Sequence, residues 1–383
     1  MAGPDRTSRR SGPLRSLISE KSRLASLILR DSGAASGLPR PVRGGKVARM
    51  LLGLDPPLCW AVTDHKAGNA IQALGLAEAL GLTPTAKLIQ PRAPWSWLPP
   101  QLCPGRLALL GSPAPPLAPP WPDLAIGVGR NAVRPLLAIR EASRRHRPER
   151  PTFVIQVQRP TLPAARFDLV IVPRHDDLTG DNVIQMLGSI HRVTRARLQA
   201  ARAALAPSLA GLPERRVAVL LGGNSKVHRF DRARARALGR NLAAMARAEG
   251  LGLLITPSRR SDPQVTGALL AELAGLPVYR WDGGGENPYY GLLASAEAAV
   301  VTADSVNMVT EAAAAGLPVL VVALAGGSPK FDRFHSEMRK AALTRPFAGR
   351  LELWRPPPFD EMPGLARAVA ERLPFPTPLL QPG

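Results

Sequence analysis

Two observations predict an α/β fold built from two doubly wound units. From Trp60 onward, short apolar runs of strand length alternate with Ala- and Leu-rich segments that have helical periodicity. This alternation is typical of a parallel sheet covered by helices on both faces. The pattern stops at a Pro- and Gly-containing stretch, 206–215, and then starts again. We therefore expect two successive units joined near residue 210.

Each unit has its own series of predicted strands. The first series is CWAVT (59–63), TAKLI (85–89), DLAIGVG (123–129), TFVIQVQ (152–158) and FDLVIVP (167–173), with a Pro-rich loop at 91–122. The second series is RVAVLLGG (216–223), LGLLIT (251–256), PVYRW (277–281), AAVVTA (298–303) and PVLVVAL (318–324). We predict domains at 51–210 and 211–345, followed by a tail, 346–383, whose helix packs back on the first domain.

The chain is strongly basic, but the charge is unevenly distributed. It has 383 residues and a formal net charge of +21, and residues 1–50 contribute eleven basic and three acidic side chains to that charge. Aromatic residues make up 4% of the sequence, which leaves few rings to stack on the bases of a single-stranded nucleic acid. The charge therefore favours an anionic membrane surface or a phosphate-bearing substrate over nucleic acid.

Residues 1–50 form a basic extension that we predict to be disordered. Three interpretations remain open: a tail or an over-extended start before Met50, a short basic amphipathic helix on a membrane surface, and an organelle-targeting segment. Cys59 and Cys103 are too few for a disulfide framework and have no zinc-binding spacing. No apolar run has the length of a membrane span. We expect a cytoplasmic protein with peripheral contact at the inner face of a membrane.

The loop after the first predicted strand carries several titratable groups. Asp64, His65 and Lys66 follow CWAVT directly, and ligands of doubly wound sheets bind at the carboxyl ends of strands. The alternative is an ordinary turn in which Asn69 caps the next helix. We interpret Asp64 and His65 as candidate catalytic residues, with Lys66 and Asn69 beside them.

Two further loops of the first unit give weaker signals. GVGRNA (127–132) matches a relaxed dinucleotide-binding pattern, but the next strand ends in Gln158 rather than in the acidic residue that would bind ribose. A tight turn is the better interpretation. HDDLTGDN (175–182) could bind a metal, but it also has the composition of a turn. His175 and Asp176 remain candidates for the cleft, and we assign no metal.

The second unit opens with LLGGNSK (220–226), a loop suited to phosphate. Glycines 222 and 223 let backbone amides approach an anion, and Ser225 and Lys226 add a hydroxyl and a positive charge. The spacing of an ATP-binding Walker loop is absent. In TADSVNMVTE (302–311), Asp304 or Ser305 is expected to cap a helix, which leaves Glu311 unexplained.

Five ordered motifs resemble the mitochondrial fission Elm family and its bacterial relatives, which are often described as glycosyltransferases. They are TDHKAGNAIQALGLAEALGL (63–82), LLGGNSK, SRRSDP (258–263), GGGENPYYGLLASAE (283–297) and TADSVNMVTEAAAAGLPV (302–319). The resemblance runs from about Trp60 to Trp354. More distantly, the layout is similar to GT-B enzymes such as the glycosyltransferase that makes lipid II, in which two Rossmann-like units face each other across a cleft.

The GT-B resemblance implies roles for residues of the second unit. The loop Gly222, Gly223, Asn224 and Ser225 would lie at the donor phosphates, and Glu311 would accept hydrogen bonds from ribose hydroxyls. The positions that could add contacts around the diphosphate and sugar are Ser258, Arg259, Arg260, Ser305 and Lys330. One departure concerns the first loop: the family usually has T-D-G-K-x-G-H, whereas this chain has His65 at the Gly position and Asn69 at the His position.

The resemblance favours a metal-independent glycosyltransferase that uses a nucleotide sugar as substrate and needs no cofactor. Asp64 or His65 would take the acceptor proton, and the basic surface would suit a lipid-linked or cell-envelope acceptor. The alternative, from another functional class, is a non-catalytic adaptor of the kind implied by the fission role of plant members. An NAD-dependent nucleotide-sugar epimerase, based on GVGRNA alone, is the least favoured.

Overall fold

The computed structural model describes residues 57–64, 66–89, 107, 116–258, 260–282 and 284–380. The basic extension, most of the Pro-rich stretch, Cys103 and the candidate site residues His65 and Arg259 lie outside the described residues.

The described residues form two six-stranded parallel sheets and a small antiparallel pair. The first sheet has the order β2-β1-β3-β4-β5-β6 and consists of β1 Cys59–Thr63, β2 Pro84–Leu88, β3 Leu124–Val128, β4 Phe153–Val157, β5 Leu169–Pro173 and β6 Val183–Met186. The second has the order β10-β9-β7-β11-β12-β14 and consists of β7 Arg216–Leu221, β9 Gly252–Pro257, β10 Val278–Arg280, β11 Ala298–Thr302, β12 Val319–Val322 and β14 Thr344–Pro346. The antiparallel pair is β8 His228–Arg229 with β13 Ala325–Gly326.

Helices connect most of these strands. They are α1 Ala67–Ala79, α2 Val133–His146, α3 Arg195–Leu205, α4 Arg232–Glu249, α5 Pro263–Ala271, α6 Tyr289–Ala294, α7 Val306–Ala314, α8 Pro329–Lys340 and α9 Met362–Ala370. Local sequence sets several of their ends. Asp231 caps α4 by accepting from the Arg234 amide at 2.8 Å, and Gly250 ends it in a left-handed conformation.

Successive side chains of a strand point to opposite faces of the sheet, so the first sheet contributes to two cores. Cys59 and Ala61 of β1 face the apolar sides of α1 and α9, whereas Trp60 and Val62 face α2. All four residues are buried. Because helices cover both faces, the first four residues of the strand are all apolar instead of alternating with polar residues. The C-terminal helix α9 thus completes the core of the first sheet.

The second sheet repeats this arrangement. Val217 and Val219 of β7 pack in the core that contains α4 and α5, and Ala218 and Leu220 pack in the core that contains α7 and α8. The doubly wound α/β class that the sequence predicts is therefore confirmed. The domain boundaries stay a prediction. Within the described ranges, no helix is long and apolar enough to cross a bilayer.

Strand order fixes where ligand-binding loops can meet. In the first sheet the chain passes from β1 to β2 on one side and then returns to place β3 on the other side of β1. In the second sheet β9 and β11 lie on opposite sides of β7 in the same way. Loops that leave the carboxyl ends of strands at such switch points diverge and open a crevice. The switch points are therefore β1/β3 and β7/β11.

Candidate functional site

The first switch point carries a network of amide side chains around one carboxylate, which we call the Asp64 cluster: Asp64, Lys66, Asn69 and Asn131. Asp64 Oδ1 accepts from the Lys66 amide at 3.1 Å and from Asn69 Nδ2 at 2.8 Å. Asp64 Oδ2 accepts from Asn131 Nδ2 at 3.0 Å, and the Lys66 ammonium lies 3.7 Å from it. The carboxylate is buried, and these bonds fix its orientation.

Asn69 plays a different part from that of a helix cap. Helix α1 begins at Ala67 with Lys66 at the N-cap position, so Asn69 lies inside the first turn. Its side chain turns back to Asp64, and its carbonyl accepts from Gln158 Nε2 at 3.5 Å. Gln158 follows β4 and has a φ of 70°, a conformation that few non-glycine residues adopt. The sequence did not single out Gln158 or Asn131 as site residues.

The second switch point carries what we call the glycine-loop cluster: Gly222, Gly223, Arg260, Thr302 and Asp304. Gly222 donates its amide to Thr302 Oγ1 at 2.7 Å, and Gly223 donates to Asp304 Oδ2 at 3.0 Å. Thr302 Oγ1 donates to Asp304 Oδ1 at 2.8 Å, and Arg260 Nη2 pairs with Oδ2 at 2.7 Å. A side-chain carboxylate, itself fully buried, thus binds where an anionic ligand was predicted.

The glycines are required here by close approach. A Cβ on Gly222 would overlap the Asp304 carboxylate, and one on Gly223 would overlap the carbonyl of Arg260. The helix that follows is capped by Ser305, whose hydroxyl accepts from the Met308 amide at 3.4 Å. Of the two predicted caps, the structure therefore uses Ser305, and Asp304 binds the glycine loop instead.

The rest of the predicted donor loop is also bonded within the protein. Asn224 Oδ1 accepts from the Phe230 amide at 2.8 Å, and the Ser225 amide donates to His228 O at 3.1 Å. Lys226 is exposed. A phosphate that bound the amides of residues 222, 223 and 225 would have to take them from Thr302, Asp304 and His228. Their role in donor binding stays a prediction.

Ser258 and Arg260 lie in the turn that follows β9, next to this loop. The Ser258 amide donates to Leu221 O at 2.7 Å, and its hydroxyl lies 3.1 Å from that of Ser261 and accepts from the Arg260 amide at 3.2 Å. Ser258 therefore shapes the turn that carries Arg260. The Arg260 side chain is 44% exposed, so one side of the guanidinium is open to a ligand.

Glu311 is a buried acid on α7 with one unsatisfied oxygen. Its Oε2 accepts from the Tyr289 hydroxyl at 2.8 Å. Its Oε1 is buried and accepts no hydrogen bond from the described part of the chain. Burial raises the pKa of Glu311 to about 7, although the Tyr289 hydrogen bond acts in the opposite direction. An unsatisfied buried acceptor is costly, and a ligand hydroxyl could satisfy it.

Predicted residues of both sheets meet at a third place. Lys330 of α8 forms an ion pair with Asp176, and Arg333 donates to His175 O at 3.2 Å. Burial, together with the positive charge of Lys330, lowers the pKa of His175 to about 4, so its imidazole is neutral near pH 7. Lys330 therefore contacts Asp176, a candidate cleft residue of the first sheet, and its role at the donor diphosphate stays a prediction.

A metal site is not evident in this part of the chain. Among the residues that the structure describes, no group of three or more His, Cys, Asp and Glu side chains could hold a metal ion. Positive charges near the glycine loop include those of Arg260, of Lys226 and of Arg229, which donates to Ser225 O at 2.5 Å.

Comparison with known proteins identifies relatives over most of the chain. The family model described as mitochondrial fission ELM1 matches residues 67–373. The mitochondrial fission protein ELM1 of Arabidopsis thaliana is 30% identical over 279 residues, which cover 66% of this chain and 64% of that protein. A Rickettsia prowazekii protein is 25% identical over 204 residues, covering 44% and 57%. This chain thus spans less than two thirds of the length of each relative.

Solved structures show weaker likenesses. A UDP-GlcNAc 2-epimerase from Methanocaldococcus jannaschii has a TM-score of 0.48 and 10% identity, with 81% of this chain and 98% of that chain covered. MurG from Acinetobacter baumannii has a TM-score of 0.41 and 14% identity, with 82% and 91% covered. Likenesses of this size assign no activity to the chain.

Proposed function

This chain belongs to the mitochondrial fission ELM1 family, and we propose that it is a metal-independent glycosyltransferase of the two-domain GT-B type. It would transfer a sugar from a nucleotide-sugar donor to an acceptor hydroxyl. The observation that carries the proposal is Glu311 Oε1 on α7, the helix that begins at the β7/β11 switch point. This oxygen is a buried acceptor that has no partner among the described residues.

The donor would bind at the second switch point. Glu311 Oε1 would accept a hydrogen bond from a ribose hydroxyl, which relieves the cost of the unsatisfied oxygen. The diphosphate would then lie toward the glycine loop and the N-terminus of α7, where the first amides of a helix favour an anion. Arg260, half-exposed beside that loop, and the exposed Lys226 would offset the negative charge of the phosphates.

The acceptor would bind at the first switch point, beside the Asp64 cluster. In the transfer step the acceptor oxygen forms a bond to the anomeric carbon while the bond from that carbon to the diphosphate oxygen breaks. The nucleoside diphosphate leaves with the electron pair, and the acceptor proton passes to Asp64 or His65. Asn69 carries a neutral amide and cannot take that proton. It would position the Asp64 carboxylate, to which it donates at 2.8 Å.

The net charge of +21 supports a proposal about the acceptor. Lipid-linked and cell-envelope acceptors lie at anionic membrane surfaces, which attract a basic protein. We therefore propose a lipid-linked acceptor and peripheral contact of the protein with the inner face of a membrane.

Calorimetric titration with a panel of nucleoside diphosphates and their sugars tests the proposed function. We expect at least one nucleotide to bind. Arg260→Gln should lower the affinity for that nucleotide by about tenfold or more, because the variant loses a hydrogen bond between the guanidinium and a phosphate. Arg247→Gln is the matched control, since it removes an exposed arginine from α4. The affinity of this variant for the nucleotide should equal that of the wild type. If no nucleotide binds to the folded wild type, the proposed activity is wrong.

A non-catalytic adaptor is the second candidate. The observation that favours it is the 30% identity with an Arabidopsis thaliana protein whose name refers to mitochondrial fission. An adaptor would use the same two sheets to present a surface to a partner protein, so it would need no nucleotide. Absence of any heat of binding across the panel would favour the adaptor, and tight binding of one nucleotide sugar would favour the enzyme.

A further inference from the structure

We propose that Tyr289 is a positioning residue for the donor nucleoside, acting through the Glu311 carboxylate, which it orients and keeps in the state that accepts ribose hydroxyls. This inference rests on the proposed function, because it assumes that Glu311 binds ribose. Tyr289 lies in the GGGENPYYGLLASAE motif, for which the sequence alone indicates no chemical role.

The two oxygens of the Glu311 carboxylate have different surroundings. Tyr289 donates its hydroxyl to Oε2 at 2.8 Å, and Oε1 has no partner among the described residues. Burial raises the pKa of the phenol well above its usual value, so Tyr289 stays a donor through the neutral range. A fixed donor on one oxygen holds the side chain in place and directs the other oxygen to the ligand.

The same hydrogen bond controls the charge of Glu311. Burial disfavours the ionised carboxylate and brings its pKa to about 7, while the Tyr289 hydrogen bond favours ionisation. In the ionised form both oxygens are pure acceptors, whereas the protonated form places an O–H donor on one of them. The Tyr289 hydrogen bond therefore increases the fraction of the protein in which Glu311 is ionised at neutral pH.

Few other ionisable groups face Glu311. Strands β11 and β12, against which α7 packs, carry none. The other elements next to α7 include α6 with Tyr289 and Tyr290, α3 with Arg197, which lies over the Tyr290 ring at 5.7 Å, and Glu361, which binds the Gly188 amide beside Thr310. Helix α8 shares a core with α7 and contributes His335, whose Nε2 lies 2.8 Å from Ala303 O. Helix α1 contacts Asn307 of α7 through Gln72 and contributes Glu78, which pairs with Arg192. Of these, Tyr289 is the group that bonds to the Glu311 carboxylate.

The test is the pH dependence of nucleotide-sugar affinity in the full chain. A nucleotide sugar is used because it lacks the terminal phosphate that would titrate near neutrality. Wild-type affinity is expected to rise about tenfold between pH 6 and pH 8 as Glu311 ionises. In Tyr289→Phe the midpoint of the affinity–pH curve should move up by about one pH unit. Affinity should then be about fivefold lower than that of the wild type at pH 7 and should return to the wild-type value at higher pH.

A control and a second variant make the result specific. Tyr279→Phe removes a phenol from β10, three strands from β11 in the sheet order, and should leave the midpoint unchanged. Replacement of Tyr289 by 3-fluorotyrosine keeps the ring and makes the hydroxyl a stronger donor. The midpoint of the affinity–pH curve should therefore move to lower pH. This variant provides the test if the Tyr289→Phe protein does not fold. An unchanged midpoint in both variants, or a loss of affinity equal at every pH, overturns the role of Tyr289. If the wild type binds nothing at any pH, the proposed function itself is wrong.

Discussion

Gly223→Ala is expected to lower the free energy of unfolding by about 2–3 kcal/mol and to abolish nucleotide binding. A Cβ at this position would overlap the backbone carbonyl of Arg260, which cannot rotate away as a side chain would. The loop after β7 would have to move, which breaks the 3.0 Å bond from the Gly223 amide to Asp304. Chemical denaturation measures the first effect, and calorimetric titration with a nucleotide sugar measures the second.

Gly267→Ala is the matched control for this substitution. Gly267 is exposed inside α5, and a Cβ there would meet no atom within 4 Å. Alanine is favoured over glycine in a helix, so this variant should gain about 1 kcal/mol. A Gly223→Ala protein as stable as the wild type would show that the loop does not pack closely against the carbonyl of Arg260.

Glu311→Gln is expected to become more stable relative to the wild type as the pH rises. Burial raises the pKa of Glu311 to about 7 in the folded protein, from an ordinary value of 4.5. Between these values the native protein binds more protons at this site than the unfolded chain does, so wild-type stability declines with increasing pH. Glutamine has similar size and does not ionise. The difference in unfolding free energy should therefore change by about 2–3 kcal/mol between pH 5 and pH 8 in favour of the variant.

The comparison of the two proteins removes the contribution of other groups. Burial lowers the pKa of His175 to about 4, so this residue destabilises the fold as the pH falls below its unfolded value near 6.5. That effect is the same in both proteins and cancels in the difference. Parallel pH profiles for wild type and Glu311→Gln would contradict the assignment of a raised pKa to Glu311.

Local pattern predicts the fold and the position of the loops well. Every residue of β1 and β7 that packs in a core is apolar, and the sequence shows these runs directly. The sequence also places Asp64 and the two glycines at strand ends, where they are found. These features depend on neighbours in the chain, which is why periodicity and turn composition are sufficient to predict them.

The partners of these residues depend on strand order, which local pattern does not show. Asn131 reaches Asp64 because β3 lies beside β1, and Asp304 reaches Gly223 because β11 lies beside β7. The residues of each pair are far apart in sequence. Asp304 precedes a helix and is a residue type that commonly caps helices. It instead binds the Gly223 amide and the Arg260 guanidinium, which other segments supply. Tyr289 was missed for the same reason.

Amide hydrogen exchange of the full chain, with and without a saturating nucleotide sugar, locates the donor on the molecule. The proposed function places it at the β7/β11 switch point. We therefore predict slower exchange on binding in peptides that cover 222–230 and 302–314, and unchanged exchange in α2 of the first sheet. Slower exchange confined to the first sheet, or no change in either sheet while the ligand is bound, would contradict this placement.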